Sequence, residues 1–207
     1  NEGLLKTLSV APAALEQALA GQRVALVGNA RALAETRHGA AIDAADLVIR
    51  INRAPMPDPA SHGSRTDWLA LAMRLPAADR ARLAPRRILW MSPKRKRLDW
   101  RSAHSPGFYL FPLDDYQALE HELGAPPSTG FMAIRLLLEA PLATLTLYGF
   151  DFFASQSLSG RRTAADVPHD FAAEAGWVRA RGGQAGGGAR QSVVRLPSKS
   201  TSRTGPV

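Results

Sequence analysis

Residues 23–55 read RVALVGNARALAETRHGAAIDAADLVIRINRAP, and this stretch decides the fold. Two apolar runs, Val24–Val27 and Leu47–Ile51, have the length and β-branched residues of buried strands, and each ends at a turn-forming residue. Between them, Ala30–His38 is predicted to form a short helix that Gly39 stops. Strand, helix and strand in this order build a parallel sheet with loops at the carboxyl ends of its strands. We therefore predict an α/β fold with a mostly parallel central sheet flanked by helices.

Polar residues that follow the two strands are candidate ligand contacts. Gly28 would let the backbone approach a ligand closely, and the amides of Asn29 and Asn52 can both donate and accept hydrogen bonds. Such groups suit a nucleotide phosphate or ribose without a metal. On spacing alone an ordinary turn is favoured, because a dinucleotide site would require G-x-G-x-x-G.

A second informative stretch, Pro126–Asp151, reads PPSTGFMAIRLLLEAPLATLTLYGFD. Ser128 and Thr129 are typical helix caps, and an apolar helix and a strand follow them. The N-terminus of such a helix can hold a phosphate through its free backbone N–H groups. The alternative is that these residues only cap the helix.

The sequence resembles glycosyltransferase family 29, the sialyltransferases, from residue 23 to residue 174. V-G-N, I-D, D-L-V-I-R and N-x-A-P, followed by Gly63-Ser64-Arg65-Thr66, resemble the family's large motif. P-S-T-G and Y-G-F resemble the small motif, and His169-x4-Glu174 resembles the very small motif. The order and spacing of the three motifs are those of the family.

This resemblance implies a single Rossmann-like domain, a GT-A-like variant, that transfers sialic acid from CMP-sialic acid to a sugar hydroxyl of a glycan with inversion. It implies His169 as the general base, with Glu174 orienting the site, and neither a metal nor any cofactor besides the donor substrate. The chain has no D-x-D at a strand end to hold a metal. The residues expected to contact the nucleotide are Gly28, Asn29, Asn52, Ser128, Thr129, Gly130, Gly149 and Phe150.

One departure from the family pattern and several alternatives remain open. Members carry a His/Tyr-rich motif between the small and very small motifs, but residues 152–167 contain neither residue type, so Arg161 or Arg162 is the candidate replacement. The donor could instead be CMP-Kdo, whose nucleotide half is the same. A CMP-binding protein without turnover and a nucleic-acid-binding protein are the rivals from other classes.

The chain contains no cysteine, which excludes disulfides and thiolate sites. The positions matching the disulfide of animal sialyltransferases are Val24 and Leu142, both apolar. Losing both partners suits a reducing compartment, so we expect a cytoplasmic, bacterial member of the family. No apolar run is long enough for a membrane span, although the chain begins at Asn1 rather than Met, which leaves an upstream anchor open.

The formal charge of +8 is unevenly spread: one basic run is dense, and residues 190–203 add scattered positive charge in the tail. Lys94, Arg95, Lys96 and Arg97 form the densest run, and the default interpretation of such a run is a solvated loop. The functional alternative is peripheral contact with the inner membrane and a lipid-linked glycan acceptor. We expect a catalytic domain over residues 1–181 and a disordered, Gly-rich basic tail over residues 182–207.

Overall fold

The computed structural model describes residues 2–150, 168–180, 184–185 and 194–196, which form one eight-stranded sheet with helices on both faces. The strand order is β5-β4-β3-β2-β1-β6-β8-β7; the pairs from β5 to β6 are parallel, and β8 pairs antiparallel with both β6 and β7. The strands are β1 (Arg23–Val27), β2 (Leu47–Ile51), β3 (Trp68–Leu71), β4 (Arg87–Trp90), β5 (Tyr109–Leu110), β6 (Thr144–Tyr148), β7 (Gln184–Ala185) and β8 (Val194–Leu196).

Nine α-helices and two 3₁₀ helices connect and flank these strands within the described residues. The 3₁₀ helices span Arg31–Glu35 and Arg95–Arg97. The α-helices are α1 (Glu2–Leu8), α2 (Pro12–Leu19), α3 (Gly39–Asp43), α4 (Pro59–His62), α5 (Ala77–Leu83), α6 (Trp100–Ala103), α7 (Leu113–Leu123), α8 (Thr129–Glu139) and α9 (Phe171–Ala180). None of the described helices is both long and apolar enough to cross a bilayer.

Alternate residues along each strand supply the two cores, because successive strand side chains point to opposite faces of a sheet. Val24 and Leu26 of β1 lie on the face covered by α2, α7, α8 and α9. Ala25 and Val27 lie on the other face, beneath α3 and the first 3₁₀ helix. Both faces of the central strands are therefore buried, as in parallel sheets generally, and the predicted α/β sheet is confirmed.

The loop that follows β2 is fixed by a buried arginine. Arg50 is 1% exposed, and its guanidinium donates to the carbonyl oxygens of His62 (2.8 Å) and Arg65 (2.7 Å). Burial lowers the Arg50 pKa to about 10, with the nearby Asp43 carboxylate opposing this shift. The short helix α4 lies inside this loop, between β2 and β3.

The helix predicted over Ala30–His38 is confirmed only in part, because it is shorter, is of the 3₁₀ type and does not end at Gly39. The structure has a 3₁₀ helix at Arg31–Glu35 and then starts α3 at Gly39, the residue that was expected to stop a helix. The reason is tertiary: a Cβ on Gly39 would lie 1.8 Å from the Pro59 carbonyl oxygen and 2.8 Å from that of Ala60. Glycine is needed here for the close packing of α3 against α4.

Replacing Gly39 with alanine should therefore destabilise the protein. The atoms that the new methyl group meets belong to backbone, which cannot rotate away, so we expect the free energy of unfolding to fall by about 2 to 3 kcal/mol. Gly176→Ala is the matched control, because nothing lies within 4 Å of its Cβ position in α9. Alanine there should leave stability unchanged or raise it by about 0.5 to 1 kcal/mol. Urea denaturation of both variants measures the difference, and equal values would contradict the packing argument.

Two other regions also contain more structure than expected. The basic run, interpreted from the sequence as a solvated loop, contains a 3₁₀ helix, and α6 follows it. Within the tail, predicted to be disordered, the backbones of β7 and β8 pair with each other, and β8 adds to the edge of the sheet at β6. The division of the chain at residue 181 stays a prediction.

Candidate functional site

The candidate site lies where β1 and β6, neighbours in the sheet, reach their carboxyl ends. There the Gly28 N–H donates to the Tyr148 carbonyl oxygen at 2.8 Å, and the Ala30 N–H donates to that of Gly149 at 3.1 Å. A Cβ on Gly28 would lie 2.5 Å from the Gly149 carbonyl oxygen, and Gly149 has a φ of +67°. Gly28 therefore permits a close approach to the Gly149 backbone. This contact joins the turn after β1 to the turn after β6.

Phe150 packs between this turn and the start of α8. A Cβ on Gly28 would come 3.2 Å from the Phe150 ring, and a Cβ on Gly130 would come 2.8 Å from it. Phe150 is buried, with 9% of its surface exposed. The two glycines therefore make room for an aromatic ring that fixes α8 over the end of the sheet.

Both predicted asparagines lie at this edge, and each uses half of its amide to hold the scaffold. The Asn29 Nδ2 donates to the Ile51 carbonyl oxygen at 3.1 Å, which ties the end of β1 to the end of β2. The Asn52 Oδ1 accepts from the Ala72 N–H at 2.9 Å, with Asn52 at a φ of +52°. Among the described residues, the Asn29 Oδ1 and the Asn52 Nδ2 have no hydrogen-bond partner. These two atoms can therefore serve a ligand.

Ser128 caps α8 as the sequence predicts. Its Oγ accepts from the Phe131 N–H at 3.1 Å. The N–H groups of Thr129 and Gly130, the first two residues of the helix, have no partner within the part of the chain that the structure describes. An anion at this helix N-terminus would meet two free donors and the positive end of the helix dipole.

Glu174 is a buried carboxylate that clamps this cap. Its Oε1 accepts from the Ser128 N–H, and its Oε2 accepts from the Ser128 Oγ, both at 2.7 Å. The residue is 1% exposed, and burial raises its pKa to about 7, although the two hydrogen bonds from Ser128 oppose this shift. Glu174 thus ties α9 to the N-terminus of α8, with both of its oxygens engaged by Ser128.

His169 lies just before α9 and is held against the same cap. Its Nδ1 lies 2.7 Å from the Pro126 carbonyl oxygen, and its ring meets the Phe171 ring edge-on at a centroid distance of 5.6 Å. A carbonyl oxygen can only accept, so Nδ1 carries the hydrogen of this bond. In the neutral imidazole Nε2 is then the atom with the free lone pair, which is the state that a general base requires.

The predicted site residues are therefore brought to one edge of the sheet by contacts between neighbouring elements. Gly28, Gly149, Phe150 and Gly130 form one run of contacts, Asn29 and Asn52 flank it, and Glu174 and His169 attach α9 to the cap. Arg161 and Arg162, the candidate replacements for the missing motif, lie outside the described residues. No cluster of three or more metal-ligating side chains occurs within the described ranges.

Sequence reasoning missed the hydrogen-bond partners of His169 and Glu174. The Pro126 carbonyl that orients His169 is a backbone atom, so no residue type could have marked it. Ser128 was predicted as a cap and nucleotide contact, but its pairing with Glu174 spans 46 residues. The signal that could have indicated this pair is chemical: the very small motif supplies an acidic residue, Glu174, and the small motif supplies a hydroxyl, Ser128, that can donate to it.

Residues 3–74 match the family model described as glycosyltransferase family 29 (sialyltransferase). This part of the chain is similar to family 29. The match contains the large motif, so the family predicted from it is confirmed, and proteins of this family are glycosyltransferases. No curated protein sequence matches the chain.

Two crystal structures of mammalian sialyltransferases share the fold of this chain. One is described as a mammalian sialyltransferase and has a TM-score of 0.60, and the other, with a TM-score of 0.58, is described as a mammalian sialyltransferase in complex with Gal-beta-1-3GalNAc-ortho-nitrophenol. Each is 20% identical to this chain, over 85% of this chain and 72% of the crystallised one. This likeness confirms the GT-A-like variant of the Rossmann-like fold. Val24 and Leu142, the positions predicted to match the disulfide of animal sialyltransferases, are both buried in the core on the α8 face.

Proposed function

We propose that the protein transfers sialic acid from CMP-sialic acid to a sugar hydroxyl of a glycan, with inversion and without a metal. The observation that carries the proposal is the position of His169, whose Nδ1 is fixed by the Pro126 carbonyl beside the N-terminus of α8. The free backbone donors of Thr129 and Gly130 begin the helix that follows Pro126 in the chain, so the imidazole is attached beside the segment that carries them. The family match over residues 3–74 supports the same reaction class.

In the proposed reaction, the acceptor hydroxyl attacks the anomeric carbon of the donor sugar. The bond from that carbon to the phosphate oxygen breaks, CMP leaves with the electron pair, and the hydroxyl proton goes to the His169 Nε2. The Thr129 and Gly130 N–H groups stabilise the negative charge that grows on the phosphate, since they need no reorganisation to do so. Asn29 and Asn52 hold the nucleotide through their free amide atoms, while Gly28, Gly149 and Phe150 shape its pocket.

The donor is tested by measuring CMP release from CMP-sialic acid and from CMP-Kdo in parallel, with CMP affinity determined by calorimetry. We expect CMP binding and release from CMP-sialic acid. Release only from CMP-Kdo would support the alternative donor, because the groups described here contact the shared nucleotide half. Binding without release from either donor would indicate a CMP-binding protein, and absence of CMP binding would overturn the proposal.

We extend the proposal to the cellular setting of the reaction. The absence of cysteine supports a cytoplasmic enzyme. The acceptor is then a lipid-linked glycan, reached by peripheral contact of the basic run Lys94–Arg97 with the membrane. Transfer to a glycolipid in vesicles, compared with transfer to the same glycan free in solution, measures this preference.

A further inference from the structure

The loop between β4 and β5 carries an exposed tryptophan surrounded by positive charge. Trp100 is 64% exposed, the highest value among the large hydrophobic side chains of the described residues. Its ring lies against the ring of the exposed His104 at a centroid distance of 3.6 Å and a tilt of 36°, so the indole is supported from one side and is otherwise exposed to solvent. Four exposed cations lie close to it in the chain: Lys94, Lys96, Arg97 and Arg101.

Arg95, although part of the basic run, belongs to the scaffold of this loop. Its guanidinium donates to the Glu2 carboxylate at 3.1 Å and to the carbonyl oxygens of Ser92 and Phe111, each at 2.7 Å. Its side chain is 13% exposed. The loop is therefore fixed to α1 and to the end of β5. Membrane contact was predicted through all four residues of the run, but only Lys94, Lys96 and Arg97 are exposed enough to make it.

The loop itself carries little negative charge. The single carboxylate between residues 92 and 104 is Asp99, which caps α6 by accepting from the Ser102 N–H (3.0 Å) and Oγ (2.8 Å). Its second neighbour is the Arg80 guanidinium, 3.5 Å away. Within residues 92–104 the exposed charged side chains are therefore all cationic, and they accompany one exposed indole.

We propose that Lys94, Lys96, Arg97, Trp100 and Arg101 dock the protein on an anionic lipid surface. Cationic side chains near an anionic leaflet each strengthen binding by about fivefold, and an indole is the side chain that best occupies the headgroup region. A nucleic acid is disfavoured, because successive bases would require further exposed rings, whereas Trp90 at the other side of the run is fully buried.

The docking surface lies at the same edge of the sheet as the candidate site. The loop leaves β4 at its carboxyl end, and β4 is parallel to the strands that carry the candidate site, so both lie at the same edge of the sheet. Docking would therefore bring the site towards the bilayer, where a lipid-linked acceptor is held. Docking is independent of the proposed transfer, whereas this use of it rests on the proposed function.

The test is sedimentation of the full chain with phosphatidylcholine vesicles, with and without phosphatidylglycerol. We expect binding only to the anionic vesicles, weakened by salt. Lys94→Ala/Lys96→Ala/Arg97→Ala should weaken it about 100-fold and Trp100→Ala about tenfold. The matched control removes three exposed arginines elsewhere, Arg37→Ala/Arg74→Ala/Arg179→Ala, and should bind within about twofold of wild type.

Several results would overturn the proposal: equal binding to both vesicle types, an equal loss in the control, or undiminished binding by Trp100→Ala. Competition by a single-stranded or duplex oligonucleotide, lost in the same variants, would assign the surface to nucleic acid instead. Thermal unfolding of each variant checks that it is folded, since replacing exposed side chains should leave stability unchanged. Insertion of the indole is measured by the quenching of tryptophan fluorescence by brominated lipid, which should be smaller in Trp100→Phe than in wild type. Failure of the proposed transfer would appear as absence of CMP release with vesicle binding intact.

Discussion

Replacing His169 with alanine is expected to lower the rate of CMP release by about 10²- to 10⁴-fold while leaving CMP affinity within a few-fold of wild type. The imidazole is the proposed acceptor of the hydroxyl proton, and in the structure it contacts Pro126 and Phe171 rather than the free atoms proposed to hold the nucleotide. A loss in turnover without a loss in binding is therefore the signature of its role. Steady-state release and calorimetry of the same preparation measure the two quantities.

His169→Asn separates catalysis from positioning. The asparagine Nδ2 can replace the imidazole Nδ1 as donor to the Pro126 carbonyl, but the variant has no counterpart of Nε2. It should fold like wild type and be as inactive as the alanine variant. His104→Ala, at an exposed histidine outside the site, should keep full turnover. Substantial activity in His169→Asn would show that the histidine only orients its surroundings, and another base would then have to be found.

The sheet could be predicted from the sequence because its strands are buried on both faces. Burial makes each strand a continuous apolar run such as Val24–Val27 or Trp68–Leu71, and the turn residues after the runs mark their ends. The cap at Ser128 could be predicted for a similar reason, since its hydrogen bond to Phe131 is local. The convergence of the site then follows from topology, because the carboxyl ends of parallel strands share an edge.

What could not be predicted depends on residues distant in the chain. Gly39 begins a helix instead of ending one because of the Pro59 carbonyl, 20 positions later. Arg95 looks like its neighbours in a basic run, but hydrogen bonds to Glu2, 93 positions earlier, and to the Phe111 carbonyl hold its guanidinium. Local propensity contains none of this information. Which amide atoms of Asn29 and Asn52 remain available to a ligand could be identified only from the hydrogen bonds that their other amide atoms make.

The buried carboxylate of Glu174 should make the stability of the protein depend on pH in an unusual direction. Its pKa is raised in the folded state from 4.5 to about 7, first because burial disfavours the charged form and further because the Asp170 charge is near. Between these values the folded state binds more protons than the unfolded state. Stability from this group is therefore complete below pH 4.5 and falls as the pH rises towards 7, by about 3 kcal/mol in all.

Glu174→Gln should remove this dependence, because glutamine does not titrate and can still accept one hydrogen bond from Ser128. Urea denaturation at a series of pH values, compared between wild type and Glu174→Gln, isolates the contribution of this one group from those of other titrating residues. Parallel profiles would show that the carboxylate is not perturbed. Glu174→Ala should instead cost about 1 to 3 kcal/mol at every pH, since it leaves the Ser128 N–H without an acceptor. Because the same bonds tie α9 to the start of α8, the alanine variant should also lower CMP release by displacing His169, whereas the glutamine variant should retain more of it.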